Sequence, residues 1–236
     1  MTHQRQVYDL AERLGLTEPL AEARRFVERA NEINAELAAF RAECESDHAG
    51  LISKILAGPV DRRMVEEQAV PALAWAHDGP GAKIMVGAVV AAHRAADQAV
   101  DTSAAALWEP LVAAVDEVIA AADRLRLPPG ITAEGAARQA GLADRWAEQG
   151  VLLQRWHDAH ALAGLLRTHG WVDACPVDDR ELYLRYKAPN ALPDSYWKLP
   201  GPVVLAAAVL FGAGPGLYTA QAGRERWLTS RSVGAR

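Results

Sequence analysis

A heptad seam near the N-terminus limits the possible folds of this chain more than any other feature. Apolar residues recur there at alternating steps of three and four: Ala23, Phe26, Ala30, Ile33, Leu37, Phe40 and Cys44. A helix with this spacing keeps one apolar stripe facing a neighbouring helix without drifting off the contact. The seam therefore predicts a long amphipathic helix, with Thr17 as its N-cap and Pro19 in its first turn.

Two kinds of partner fit this seam equally well. It can pack against another chain, as in a coiled coil, or against a helix of the same chain, since the core of a monomeric bundle needs similar spacing. If the partner is another chain, the interface residues are Phe26, Ile33, Leu37 and Phe40. The segment from Glu18 to Asp47 carries eight acidic and four basic residues, so we expect the outer face of this helix to be acidic and solvated.

Composition favours helices and excludes some classes of function. Alanine, the strongest helix former, is the commonest residue, and β-branched residues are comparatively few. The net charge of -5 argues against a general nucleic-acid binder, which needs a basic face to displace phosphate counterions. With only Cys44 and Cys175 and no apparent signal peptide, we expect a cytoplasmic protein, or one inside an intracellularly assembled particle.

Glycine and proline divide the 236 residues into four predicted segments. Residues 1–57 form the long helix or a helical hairpin, and residues 59–170 form a helical bundle. Residues 171–202 form an extended arm rich in proline and aromatic residues, which alternates like a short strand over 181–186. Residues 203–236 form an apolar helix and a basic tail. The predicted fold class is therefore all-α.

Within the predicted bundle, several helix boundaries can be placed. The segment from Ala82 to Val100 is rich in alanine, and we expect it to be a buried helix. Another helix begins at Thr102 or Ser103, and a short one follows Thr132. A longer helix runs from about Leu142 to His169 and is followed by a glycine suited to its C-terminus.

The aromatic arm is a second candidate for contact with a partner. Aromatic side chains give a large contact area at low entropic cost, and protein interfaces are enriched in them. The candidates here are Tyr183, Tyr186, Tyr196 and Trp197. Alternatively the arm lies over its own bundle and covers the core, since exposed aromatic patches are uncommon on monomers.

The apolar stretch near the C-terminus bears on two further functions, membrane insertion and dinucleotide binding. No charged residue occurs from Leu199 to Gly223, but the apolar run Val203–Phe211 is about half the length of roughly 20 residues that a membrane span needs. We therefore expect a buried helix and no membrane partner. The glycines of Gly212–Gly216 are spaced GxGxG rather than GxGxxG, and the chain after them is too short for a βαβ unit. The sequence therefore predicts no dinucleotide cofactor.

The segment from Ile131 to Trp146 resembles the helix-turn-helix pattern, with Gly141 at the turn. A recognition helix needs basic or amide side chains for bases and phosphates. The second helix here would present Asp144, Arg145 and Glu148 instead. A plain corner between two helices of a bundle explains these residues as well, and we expect no nucleic-acid partner.

The segment Trp156-His157-Asp158-Ala159-His160 is the best candidate for chemistry. His157 and His160 are three residues apart on a helix, so both rings can reach one point, as ligands of zinc or iron do. The dipeptide His157-Asp158 resembles that of the HD-type metal phosphohydrolases, a family that also needs an upstream histidine and a downstream aspartate. This resemblance implies a metal-dependent hydrolase that uses His157, Asp158 and His160. The nominees for the remaining two positions are His93, Asp173 and Asp178.

No nucleophile elbow, Walker A loop or CxxC pair occurs, so the sequence holds no positive evidence for an enzyme. The leading hypothesis is a non-enzymatic structural or assembly protein that acts through helix packing and arm-mediated contacts. Its partners would be proteins, either copies of itself or others, as in a subunit of a phage-like particle. The alternatives are a metal-dependent hydrolase and a helix-turn-helix regulator that binds DNA.

Overall fold

The structure, a computed structural model, describes residues 2–57, 63, 79–128, 131–172, 185–191, 205, 207–208, 213–218, 222 and 225–226, with backbone alone over 44–57. Helices dominate these residues and no strand occurs among them, which confirms the predicted all-α class. The helices are α1 (His3–Leu14), α2 (Ala21–Ala57), α3 (Pro80–Ser103), α4 (Trp108–Leu125), α5 (Ala133–Ala137) and α6 (Leu142–Thr168). Short 3-10 helices span Glu18–Leu20, Ala104–Leu107 and Pro189–Ala191.

The chain divides into two units. One unit is continuous, Leu20–Val100, and contains α2 and most of α3. The other unit combines Met1–Pro19 with Asp101–Arg236, so that α1 belongs with α4, α5 and α6. This grouping differs from the predicted segments, which place α1 with the heptad helix α2.

The predicted heptad helix is α2, which continues through Gly50 to a length of 37 residues. At 1.5 Å per residue it extends for roughly 55 Å. A core cluster of its own unit joins Ala30 of α2 to Val89 and Ala92 of α3, and Ile33 packs against this cluster. At this point the heptad seam is therefore covered by a helix of the same chain.

The other unit is built around α6, against which α1, α4 and α5 all pack. Its fully buried side chains include Leu107, Leu111, Val115, Leu162 and Leu166. Burying one such side chain contributes about 1.5 to 3 kcal/mol relative to leaving it in water. This apolar layer is the main source of stability that the structure shows for the unit.

Local sequence signals fix several helix ends, of which the start after Thr132 was predicted. The hydroxyl of Thr2 accepts a hydrogen bond from the backbone N–H of Arg5 and so caps the start of α1. Gly15 ends α1 in the left-handed region at φ 76°, where its N–H reaches back to the last turn. Thr132 caps α5 in the same way as Thr2, by accepting from the N–H of Gly135 at 3.1 Å.

The apolar C-terminal stretch is described at three of its positions. Leu205, Ala207 and Ala208 are helical and buried there, as expected of a core helix. Among the helices that the structure describes, none combines the length and apolarity needed to cross a bilayer.

Candidate functional site

The surface that stands out is one side of α3, formed by Ile84, Val86, Gly87, Val90 and Ala91 and called here the outer face of α3. Ile84 is 73% exposed, Val86 46% and Val90 42%. These three account for all but one of the large exposed apolar side chains in the described part of the chain. Single apolar residues on a surface are ordinary, but three within two turns of the solvent side of one helix make this face a candidate contact site.

The alanine pattern of α3 explains why these residues point outward. Its buried positions recur at helical spacing and are mostly small: Ala82, Val89, Ala92, Ala96, Ala99 and Val100. Four of these six buried residues are alanines, whereas three of the five Val and Ile residues of α3 lie on the opposite side. The prediction that Ala82 to Val100 is a buried helix is therefore wrong for one of its two faces.

The charge along the outer face of α3 has a single sign. Lys83 and Arg94 are both exposed and lie one at each end of the apolar residues. No acidic residue occurs between Asp78 and Asp97 in the sequence. A partner of this face would therefore offer apolar side chains with acidic groups beside them.

The predicted interface residues of α2 lie against their own chain to different degrees. Leu37 is buried, while Phe26, Ile33 and Phe40 are half-buried. Ile33 contacts the core cluster that α2 shares with α3. Much of the surface of these residues is already covered by their own chain. Contact between them and a second chain stays a prediction.

The aromatic arm is described at only one of its predicted interface residues. Tyr186 is buried, with its ring 6.1 Å from that of Trp156 in α6. This part of the arm covers the unit's own core, which is the alternative that the sequence left open. Tyr183, Tyr196 and Trp197 lie outside the described residues.

The glycine-rich segment excluded as a dinucleotide site has a structural role. Residues 213–216 pair with residues 185–188 through backbone hydrogen bonds, among them Lys187 N–H to Gly214 O and Gly216 N–H to Arg185 O, both 2.8 Å. Gly214 lies at φ 59°, and a Cβ there would come 2.8 Å from the Cβ of Lys187. A side chain would be strained at this position, so the pairing requires glycine.

The three predicted metal ligands on α6 point in different directions. His157 is exposed, and His160 is buried with its ring 4.2 Å from that of Trp156. The carboxylate of Asp158 faces Arg13 of α1 at 3.5 Å. The described residues include no group of three or more His, Cys, Asp or Glu suited to a metal ion. The metal site stays a prediction, with His93 exposed on α3 and Asp173 and Asp178 outside the described residues.

His160 is nevertheless an unusual residue for a core. Its Nε2 atom is buried and has no hydrogen-bond partner among the described residues. Burial, followed by the nearby positive charges of Arg185 and Arg167, lowers the pKa of His160 well below its ordinary value. The ring is therefore neutral near pH 7, and protonation would place an uncompensated charge inside the unit.

The segment that resembles a helix-turn-helix forms a corner inside the unit. Leu127, Ala136 and Leu142 make a small buried cluster, against which Ile131 and Trp146 pack. The first exposed turns of α6 carry Asp144, Arg145 and Glu148, which have a net negative charge. The DNA-binding hypothesis gains no support from this surface, because phosphate contacts need basic side chains.

A groove runs between α1 and α6 and has a volume of 840 Å³. The two helices are antiparallel, since Arg13 meets Asp158 and the ring of His3 stacks on that of His169 at 4.0 Å. This α1–α6 groove is lined by Gln6, Asp9, Leu10, Glu12, Arg13, Asp158, Ala161, Gly164, Leu165 and Thr168. Its floor is apolar, and its lining carries three carboxylates against one guanidinium.

Comparisons with family models, with curated proteins and with solved structures found no match for this chain. The two candidate binding surfaces of the chain are the outer face of α3 and the α1–α6 groove.

Proposed function

We propose that this chain is a non-enzymatic assembly protein, which binds a protein partner through the outer face of α3. The observation that supports this most is the placement of Ile84, Val86 and Val90 in water on one side of one helix. Helix packing is the means of contact, as the heptad seam led us to expect, but the contacting helix is α3 rather than α2.

The energetics of this face suit association. Burying a Val or Ile side chain contributes up to about 1.5 to 3 kcal/mol, and a few such anchors provide most of the affinity of a typical interface. Gly87 and Ala91 lie between the larger residues, and a Cβ on Gly87 would meet nothing within 4 Å. A partner helix can therefore approach the backbone of α3 closely while the larger side chains pack against its sides.

The alternative functions have weaker support. A hydrolase needs several ligands that converge on one metal ion, whereas His157, Asp158 and His160 diverge. A DNA-binding regulator needs a basic recognition surface, and the start of α6 is acidic. A phage-like or other multi-protein particle is the kind of assembly in which a face such as that of α3 would serve.

Site-specific photo-crosslinking tests the proposal, because it covalently traps whichever protein lies against this face. A benzophenone side chain is introduced at position 84 or 90, and the protein is irradiated in extracts of its own host and in purified form. Position 151 is the matched control, because Val151 is an isolated apolar residue of α6 that is 62% exposed.

We expect positions 84 and 90 to give one discrete protein adduct, and position 151 to give none. The adduct should disappear in an Ile84→Asp or Val90→Asp background when the probe occupies the other position. Absence of any adduct from α3, or equal adducts from all three positions, would contradict the proposal.

A further inference from the structure

We infer that the partner of the outer face of α3 is a second copy of this chain, which receives it in its α1–α6 groove. This inference rests on the proposed function and names the partner. The α3 face is an apolar ridge with basic ends, and the groove is an apolar channel with one acidic end. The two surfaces of one chain therefore complement each other between copies.

The floor of the α1–α6 groove is shaped to receive apolar side chains. Leu10 and Leu165 contribute apolar surface, and Ala161 and Gly164 leave space above α6. A Cβ on Gly164 would meet nothing within 4 Å, so no described part of the same chain fills that space. A channel between two packed helices is also where a third helix seats in helical bundles.

Two of the three carboxylates that line the groove lie at one of its ends. Glu12 and Asp158 lie near the C-terminal end of α1, where the helix dipole adds partial negative charge. Arg13 offsets part of this charge through its pair with Asp158. Further along, Asp9 is paired with Arg5 at 3.1 Å, and Gln6 and Thr168 make the opposite end neutral.

The charges of α3 have a matching polarity. Lys83 lies in the first turn of α3, where the helix dipole is positive and the turn itself holds no acidic residue. This end of α3 therefore meets the acidic end of the groove. In that orientation α3 runs parallel to α6, and Arg94 reaches the neutral end.

The lengths of the two surfaces agree. Lys83 and Arg94 are separated by roughly 16 Å along α3, at 1.5 Å per residue. Asp158 and Thr168, at the two ends of the groove, are separated by roughly 15 Å along α6. The whole apolar part of the ridge can therefore lie within the groove.

Because the ridge and the groove are different surfaces, the contact is head-to-tail rather than two-fold symmetric. Each copy keeps one free ridge or one free groove after pairing, so association continues to a closed ring or an open filament. A two-fold symmetric dimer would stop at two copies, so the size of the assembly distinguishes the two arrangements.

Two variants and two matched controls test it, with light scattering on a sizing column over a wide concentration range. Ile84→Asp/Val90→Asp removes the ridge, and Gly164→Arg fills the groove with a large basic side chain. Val151→Asp and Gly150→Arg are the controls, because Gly150 is also a helical glycine of α6 with nothing within 4 Å of its Cβ. Thermal unfolding of each variant shows that it is folded.

We expect the wild type and both controls to form oligomers, and each test variant to stay monomeric. An equimolar mixture of the two test variants should stop at a 1:1 dimer, because only one ridge and one groove remain intact. Lys83→Glu should weaken association about ten-fold or more, Arg94→Glu should weaken it less, and Glu12→Lys should recover most of the loss caused by Lys83→Glu.

A wild type that stays monomeric at high concentration would overturn this inference, as would a Gly164→Arg variant that assembles normally. Neither result would overturn the proposed function if position 84 still crosslinks to a different protein. Failure of the crosslink itself would remove both.

Discussion

The helices α3 and α4 are both rich in alanine and valine, yet they use their large apolar residues in opposite ways. In α4, Leu111 and Val115 are fully buried against the rest of their unit. In α3, alanines face inward while Ile84 and Val90 face water. The hydrophobic content of a segment therefore predicts a helix, but it does not indicate whether the large apolar residues pack in the core or face water.

This difference has a thermodynamic meaning. The buried residues of α4 contribute to the free energy of folding, whereas Ile84, Val86 and Val90 of α3 contribute almost nothing to it until a partner covers them. Selection for stability alone would not keep three large apolar side chains in water. We therefore treat stability and association as separable properties of the two helices.

The largest effect on the free energy of unfolding should come from the buried residues of α4. Leu111→Ala should lower the free energy of unfolding by about 2 to 5 kcal/mol, because it leaves a cavity in a fully buried layer. Chemical denaturation measures this change, with Val151→Ala as a control that should stay within about 0.5 kcal/mol of wild type. A loss as small as that of the control would mean that α4 is not core.

Acid should act next most strongly, through His160. Its pKa is lowered in the folded state, so the unfolded chain binds the proton first and acidification below about pH 6.5 favours unfolding. The stability is fully present above that pH, and its loss can approach a slope of about 1.4 kcal/mol per pH unit.

Denaturation at several pH values between neutral and mildly acid checks this slope. His160→Gln should flatten the pH dependence, while Val151→Ala, at an exposed position without a titratable group, should leave it unchanged. An unchanged slope in His160→Gln would assign the acid sensitivity to other groups.

Two glycine-to-alanine substitutions should have smaller effects on the free energy of unfolding, and these effects should be of opposite sign. Gly87→Ala should stabilise α3 by about 0.5 to 1 kcal/mol, because the position is helical and open. Gly141→Ala should destabilise the start of α6 by about 1 kcal/mol, because Gly141 lies at φ 77°. Thermal unfolding distinguishes the two, and equal effects would contradict these backbone assignments.

The smallest effect on stability should come from the outer face of α3 itself. Ile84→Ala or Val90→Ala should change the free energy of unfolding by no more than about 0.5 kcal/mol. The same substitutions should weaken binding to the crosslinked partner, measured with the purified pair. A large loss of stability would show that this face packs within the chain and would break the comparison with α4.

Local sequence rules predicted the helices well. The heptad spacing identified α2, and Thr132 and the glycine after α6 set helix ends, because these signals act within a few residues. The roles of Gly214 and His160 could not be predicted in this way. They depend on Lys187 and Trp156, which meet them only through the tertiary fold.

The outer face of α3 was also missed, although a signal for it exists. The alanines of this helix recur at helical spacing, and Lys83 and Arg94 lie on the other side. A helical wheel therefore separates a small inner stripe from a basic and apolar outer one. Because both stripes are apolar, the sequence does not indicate which of them contacts a partner.

The unit around α6 is built from two separate stretches of the chain, which has a consequence for synthesis on the ribosome. About 130 residues separate the end of α1 from the start of α6, so at roughly 5 to 20 residues per second α1 lacks its partner helix for some 6 to 26 s. During that time Val7, Leu10 and Leu14 lack the surface that buries them. The nascent α1 is thus without its packing surface for that time, while the continuous unit Leu20–Val100 is free to fold first.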